Sequence, residues 1–165
     1  SIAAFLDDLP LFFNPTARAK GRLLEHFASG GSLPKELKRP TSLHYMMFTM
    51  QGWYTLARLA SNAGVDLWHY KHSTDDAPCL LKGAVYAVPQ LNATWSHPQV
   101  DMEDMERMLP LYYTAITHYP QELKTAKGVP PFQQPPHVYD IKGEFFTHDG
   151  IQMYWNLGMT TVGLH

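Results

Sequence analysis

Apolar side chains recur about every 3.6 residues along most of the chain, and the alternation of apolar and polar positions typical of strands is scarce. This pattern predicts an all-α fold in which successive helices pair antiparallel. A first helix is predicted over residues 2–13, followed by a break at Asn14-Pro15. A second helix is predicted to start at about Thr16 and to end near Ser29-Gly30-Gly31.

The longest predicted helix spans about residues 41–63. Pro40 suits a helix entry, Thr41 or Ser42 can cap the free amides, and Gly64 can end the helix. Most of its apolar side chains form one predicted inner face: Leu43, Met46, Met47, Met50, Trp53, Ala57 and Ala60. Leu56, Leu59 and Ala63 are predicted to widen this apolar stripe.

Two further helices are predicted over about residues 75–91 and 101–119, with the second kinked or split at Pro110. Beyond residue 120 the helical pattern weakens, and the chain becomes rich in proline and aromatic residues. We predict that residues 121–165 form an irregular, extended C-terminal segment with one short strand or hairpin at 138–146.

Composition adds bounds to this picture. With 165 residues, 45% of them hydrophobic, the chain can form one domain with a substantial core, made of a helical part at 1–120 and the C-terminal segment packed on it. The formal net charge of −2 provides no overall field for nucleic acid, and no apolar run is long enough to span a membrane. The only cysteine, Cys79, excludes an intrachain disulfide and is typical of a small buried hydrophobe.

Chemically active side chains cluster where a loop enters the longest predicted helix. Lys38, Arg39, His44 and Tyr45 fall within eight residues. Basic groups next to free helix amides favour an anion, so this junction is a candidate site. A solvated surface turn has the same composition, and His44 could equally cap the helix or pack.

Aromatic side chains are numerous, and their flat faces can stack on sugar rings in a cleft. Most tryptophans and tyrosines at helical spacing pack in a core instead. Trp53 and Trp95 are our candidates for a cleft. His69 and His72 form an H-x-x-H pair without a companion at zinc spacing, so no metal site is predicted.

The segment from Leu33 to Lys71 resembles the alginate lyase superfamily of α/α-toroid polysaccharide lyases. Its LPKELKR and LHY match the family's LP-x-E-L-x-R followed by L-x-Y, and the long helix leads to GVDLW. The similarity continues through residues 79–88 and through WSHPQV, which resembles the family's Trp-Pro-x-Gln-Gln segment. It covers about residues 17–120 and implies antiparallel helix pairs that form part of an incomplete (α/α) toroid.

The resemblance implies that Arg39 binds the substrate carboxylate and that Tyr45 is the catalytic tyrosine, with His44 beside it. Lys38 is a rival for Arg39, because the arginine-to-tyrosine spacing is six here and seven in some family members. Lyases of this kind cleave a uronate-containing glycan by β-elimination, which requires a neutralised carboxylate and a proton transfer. No metal or organic cofactor is required.

The family also places an Asn-Asn-His segment upstream, in which Asn helps to neutralise the carboxylate and His serves as a base. These residues contain no such motif, which should lie before Ser1, so we expect the C-terminal part of a catalytic domain. Such a part would expose apolar helix faces, and we expect a missing N-terminal segment or a companion chain to cover them. The resemblance also implies a secreted or periplasmic protein, and a first residue other than methionine agrees with export.

Two functional hypotheses follow. The first is a polysaccharide lyase, or a piece of one, that acts on an acidic polysaccharide such as alginate, with Lys38, Trp53 and Trp95 as substrate-binding residues. The second is a non-catalytic domain that binds acidic carbohydrate or serves as a helical scaffold. Turnover of an acidic glycan distinguishes the two.

Overall fold

The computed structural model describes residues 9–92, 95–100 and 108–125. In this part all the regular elements are helical, which confirms the predicted all-α fold. None of these described helices is both long enough and apolar enough to cross a membrane. The predicted hairpin at 138–146 lies outside the described residues. The elements are α1 (Leu9–His26), α2 (Pro34–Leu37), α3 (Ser42–Ser61), α4 (Cys79–Ala87), a 3₁₀ turn (Val88–Asn92), α5 (Met108–His118) and α6 (Pro120–Thr125).

The predicted break at Asn14-Pro15 is wrong, because α1 continues through it. Proline lacks an amide hydrogen and costs a helix interior about 3 kcal/mol. Ala19 and Leu23, in the turns that follow, are buried against the rest of the protein. Their burial stabilises the C-terminal part of α1.

The prediction for α3 is confirmed, since the helix lies within the expected span. The seven apolar residues of its predicted inner face are all buried. Gly64 follows the helix with φ of +73°, the left-handed conformation that glycine adopts most readily after a helix end.

The α4 helix begins at Cys79, one turn later than the predicted start at residue 75. The Asp75 carboxylate forms an ion pair with Lys82 of α4 instead of starting the helix. Pro78 occupies the N-cap with ψ of 147° and separates the loop from the helix. Cys79 is buried, and burial raises the pKa of its thiol, which suits the predicted small hydrophobe.

At the centre of the described helices, α3 packs against α2, α4 and α5, and α4 also packs against α5. A glycine permits the close approach of α4. A Cβ at Gly83 would lie 2.5 Å from a ring carbon of Phe27 and 2.9 Å from the sulfur of Met50 on α3. These distances leave no room for a side chain, so a glycine is required where the helices meet.

The outer side of α3 carries a stripe of large apolar side chains. Phe48, Leu56 and Leu59 are 44%, 38% and 39% exposed and recur at helical spacing. The prediction that Leu56 and Leu59 widen the inner stripe is therefore wrong. Such an exposed stripe is compatible with the expected apolar face that further protein would cover. The companion chain or N-terminal segment stays a prediction.

Two buried tyrosines near Trp68 differ in their hydrogen bonding. Tyr119 donates its hydroxyl to the Trp68 carbonyl oxygen at 2.6 Å. The hydroxyl of Tyr54 and the indole N–H of Trp68 are buried, and neither has a partner among the residues described. Burial raises the pKa of both tyrosines, so both phenols stay protonated at neutral pH.

Tyr119→Phe and Tyr54→Phe are expected to change stability differently. Tyr119→Phe removes a buried hydrogen bond and leaves a carbonyl unsatisfied, so the free energy of unfolding should fall by about 1–3 kcal/mol. Tyr54→Phe removes a hydroxyl without a partner, so stability should be unchanged or higher. Urea unfolding measures both effects, and a larger loss for Tyr54→Phe than for Tyr119→Phe would contradict this bonding pattern.

Candidate active site

The first turn of α3 is capped by a loop that lies far away in the sequence. The amide of Ser42 donates to the Pro98 carbonyl oxygen at 3.1 Å, and the amide of Leu43 donates to the Gln99 side-chain oxygen at 3.0 Å. Thr41, in the N-cap position, makes no side-chain capping bond. The predicted cap by Thr41 or Ser42 is therefore wrong, because the loop supplies the acceptors.

The same loop also contacts the residue before the turn. The amide of Val100 donates to the Pro40 carbonyl oxygen at 2.9 Å. The Ser42 hydroxyl accepts the indole N–H of Trp95 at 2.8 Å and itself donates to the loop backbone at 2.5 Å. These contacts come from residues 95–100, which we call the capping loop.

The capping loop changes what the start of α3 can bind. A bare helix terminus offers free amides to an anion. Here the amides of Ser42 and Leu43 are already bonded within the protein. Recognition of an anion at this junction therefore depends on side-chain charge.

Arg39 and Tyr45 lie in contact at this end of α3. The central guanidinium carbon of Arg39 is 3.7 Å from the centroid of the Tyr45 ring, which is a cation–π contact. Arg39 is exposed and Tyr45 is half-buried, so a ligand from solvent can approach both. His44 meets the Tyr45 ring edge-on, with centroids 5.1 Å apart, and stacks on Phe48. The structure thus brings the three predicted catalytic residues into one cluster.

Lys38 does not share the contact that Arg39 makes. Its side chain is exposed at the end of α2, and the cation that lies over Tyr45 belongs to Arg39. Within the described ranges, no acidic side chain forms an ion pair with Arg39. This geometry favours Arg39 over Lys38 as the partner of Tyr45.

A comparison with known protein families identifies the family of this chain. A family model described as alginate lyase matches residues 1–96, which is more than half of the chain and includes Arg39, His44 and Tyr45. The chain belongs to the alginate lyase family. Comparisons with curated proteins and with solved structures found no match. In this alginate lyase family member, the matched range ends inside the capping loop. That the chain is the C-terminal part of a catalytic domain stays a prediction.

Trp95, a predicted substrate-binding residue, lies beside the start of α3. Its indole N–H is bonded to Ser42, and the ring is half-buried. The His97 ring lies at a centroid distance of 5.1 Å. A tryptophan fixed by its polar edge and partly open to solvent is suited to stacking on a sugar ring next to the cluster.

Trp53, the other tryptophan predicted to bind substrate, lies in the core with 7% of its surface exposed. Its indole N–H donates to Nδ1 of His26 at 3.1 Å, and the two rings meet edge-on. The indole belongs to the inner face of α3, where helical spacing places it. This position offers no open ring face to a sugar, so we do not retain Trp53 in the site.

Burial also sets the titration of two histidines. Burial lowers the pKa of His26, and the positive charge of Lys35 lowers it further. Burial also lowers the pKa of His118, whose ring stacks on Trp68. Because Nδ1 of His26 accepts a hydrogen bond from Trp53, the neutral imidazole fits this place.

Stability is therefore expected to fall as the pH is lowered from about 7.5 to 5. Histidine in an unfolded chain titrates near 6.5, and the pKa values of His26 and His118 are lower in the folded protein. The unfolded chain then binds more protons, so the stabilisation is complete above about pH 6.5 and is lost as the pH falls towards the folded values. Urea unfolding across this range measures the slope. His26→Asn keeps a hydrogen-bond acceptor for Trp53 but does not titrate, so the free energy of unfolding should depend less on pH. An unchanged dependence would contradict the role given to His26.

The two histidines of the H-x-x-H pair have different partners. Nδ1 of His69 lies 2.7 Å from the Asp66 carboxylate, and Nε2 of His72 lies 3.1 Å from the Leu24 carbonyl oxygen. Partial burial raises the pKa of Asp66, but the hydrogen bonds and charge of His69 and a hydrogen bond from the Trp68 backbone together lower it, so the net shift is downward. In the part of the chain that the structure describes, no group of three His, Cys, Asp or Glu residues could hold a metal ion.

Sequence reasoning missed the contact between Tyr86 and His97. The Tyr86 hydroxyl lies 2.8 Å from Nε2 of His97, and burial raises the pKa of Tyr86. One residue comes from α4 and the other from the capping loop, so no helical period relates them. The resemblance of WSHPQV to a family segment drew attention to the loop, but it did not indicate the roles of Gln99 or His97.

Proposed function

We propose that this chain is the catalytic part, or a portion of it, of a polysaccharide lyase that cleaves a uronate-containing glycan such as alginate by β-elimination. One observation carries the proposal: the Arg39 guanidinium lies 3.7 Å from the centre of the Tyr45 ring at an accessible helix entry. Membership of the alginate lyase family supports the reaction class. The uronate and the mode of cleavage belong to the proposal alone.

Arg39 neutralises the substrate carboxylate in this mechanism. Removal of the proton next to a carboxylate leaves an enolate-like dianion, which a preorganised cation stabilises. A guanidinium can donate two parallel hydrogen bonds to a carboxylate, and Arg39 is exposed. Lys38, also exposed, adds positive charge along the path of an acidic polymer.

Tyr45 moves the proton. In β-elimination the C5–H bond and the C4–O bond break, a C4=C5 double bond forms, and the departing glycosidic oxygen takes up a proton. Tyr45 donates that proton and in its ionised form accepts the one from C5. His44, edge-on to the phenol ring, helps to fix its orientation. No metal or organic cofactor takes part in these steps.

The larger setting of the site is also part of the proposal. Helix pairs of this kind form part of an (α/α) toroid, and the exposed stripe on α3 suits contact with an N-terminal segment or companion chain. Trp95 provides a stacking face for the sugar next to the reacting unit. Because a polysaccharide does not cross membranes, we place the protein outside the cytoplasm, secreted or periplasmic.

The decisive test is incubation of the protein with alginate, with glucuronan and with a neutral glycan, followed by ultraviolet absorbance of the unsaturated uronate product. We expect product from an acidic glycan and none from the neutral one. Binding of acidic oligosaccharide without product would favour the carbohydrate-binding alternative. Equal indifference to acidic and neutral glycans would reject both.

A further inference from the structure

We propose that Gln99 is a positioning residue. By capping the helix that carries Tyr45, it holds the Arg39 guanidinium in place over the Tyr45 ring. The inference rests on the proposed function, since it assigns Gln99 a role in the same site. It concerns a residue outside the matched range of 1–96 and separated from Leu43 by 56 positions.

The start of α3 needs an acceptor that its own sequence does not supply. The first amides of a helix have no partner within the helix, and a cap normally accepts from the second or third helical residue. Thr41, at the N-cap, makes no such bond. The Gln99 side-chain oxygen accepts from Leu43, the second helical residue, at 3.0 Å and so takes the place of the missing cap.

The capped turn is the stretch of backbone that connects Arg39 to Tyr45. Its backbone is bonded to the capping loop through Pro40, Ser42 and Leu43. The backbone conformation between these bonds therefore sets how the guanidinium sits over the phenol ring. A reacting group displaced by about 1 Å can lose about a hundredfold in rate, so a loose turn would be costly for catalysis.

Gln99 is also the member of this set whose bond to α3 runs through a side chain. The bonds at Pro40 and at the Ser42 amide join backbone atoms, which substitution does not remove. The bond to Leu43 uses a side-chain oxygen. Gln99→Met keeps the length of the side chain and removes the acceptor, whereas Gln99→Glu keeps the oxygen and adds a negative charge that a helix N-terminus favours.

The experiment compares wild type, Gln99→Met and Gln99→Glu, with Gln51→Met as the same change on α3 away from the capping loop. For Gln99→Met we expect faster hydrogen exchange at the Leu43 amide, a smaller upfield ring-current shift of the Arg39 side-chain protons, and kcat lower by about tenfold or more with little change in KM. Gln51→Met should stay close to wild type in all three, and Gln99→Glu should keep the slow Leu43 exchange and the Arg39 shift. Thermal unfolding of each variant checks that the domain stays folded.

The outcomes separate this inference from the proposed function. Unchanged Leu43 exchange and an unchanged Arg39 shift in Gln99→Met would overturn the inference, whether or not the protein cleaves a glycan. A reduced shift with unchanged kcat would overturn it as well. If wild type releases no product but the shift moves in Gln99→Met and not in Gln99→Glu, the positioning of the pair is supported and the lyase reaction is rejected. Gln99→Asn, which is too short to reach Leu43, should behave like Gln99→Met.

Discussion

Tyr45→Phe is expected to lower kcat for cleavage of the acidic glycan by about 10²- to 10⁴-fold, the usual contribution of a positioned proton donor or acceptor. The substitution removes one oxygen and keeps the ring, so the contact of Arg39 with the ring face, 3.7 Å from the centroid, is retained. Binding of the acidic oligosaccharide should therefore change little, and the loss should appear in kcat. Release of the unsaturated product, measured with saturating glycan, gives the comparison.

Tyr70→Phe is the matched control for this variant. Tyr70 is also a half-buried tyrosine with a cation over its ring, since the Lys20 ammonium lies 5.2 Å from the centroid. It lies outside the cluster at the start of α3, so Tyr70→Phe should cleave at the wild-type rate. A Tyr45→Phe protein as active as wild type would remove Tyr45 from the reaction and leave the lyase mechanism without its acid.

Gly31→Ala should lower the free energy of unfolding by about 3 kcal/mol or more. Gly31 has φ of +84°, and a side chain in the left-handed region costs about 1–2 kcal/mol. A Cβ there would also lie 2.0 Å from the carbonyl oxygen of Lys82 in α4, and backbone atoms cannot move aside as a flexible side chain can. Overpacking of this kind adds about 1–3 kcal/mol. The urea midpoint of the variant measures the loss.

Gly64→Ala separates the two causes. Gly64 has a similar φ of +73°, but a Cβ there has nothing within 4 Å. It should therefore show the backbone cost of about 1–2 kcal/mol alone. If the free energy of unfolding fell equally in both variants, the close approach of Gly31 to α4 would not contribute to the loss.

The helical pattern located α3 well because periodicity and burial agree there. Seven apolar residues of its predicted inner face are buried, although Leu56 and Leu59 are not, and Pro40 and Gly64 lie at its two ends. Elsewhere local signals competed with contacts that the pattern does not contain. Pro15 does not stop α1, and Asp75 pairs with Lys82 of α4 and does not start that helix. At Asp75 the charge of Lys82 outweighs the local preference.

In the candidate site too, the sequence located some residues and only the structure decided the others. Arg39, His44 and Tyr45 could be grouped from the sequence because they are close along the chain and the resemblance assigned them roles. Trp53 and Trp95 looked alike in the sequence, since both are tryptophans whose flat faces can stack on a sugar ring. Burial separates them: one indole is enclosed against His26, and the other is half-buried beside Ser42.

By itself the sequence determined the helical class, the inner face of α3 and the proximity of Arg39 to Tyr45, because these depend on a repeat of 3.6 residues and on neighbours within two turns. Only the tertiary structure decided that Gln99 caps Leu43 from 56 residues away, and that Arg39 rather than Lys38 lies over the phenol ring. Hydrogen-bond partners so distant in sequence are selected by how the helices pack. Packing depends on the shapes and volumes of all the buried side chains together, which no single stretch of sequence contains.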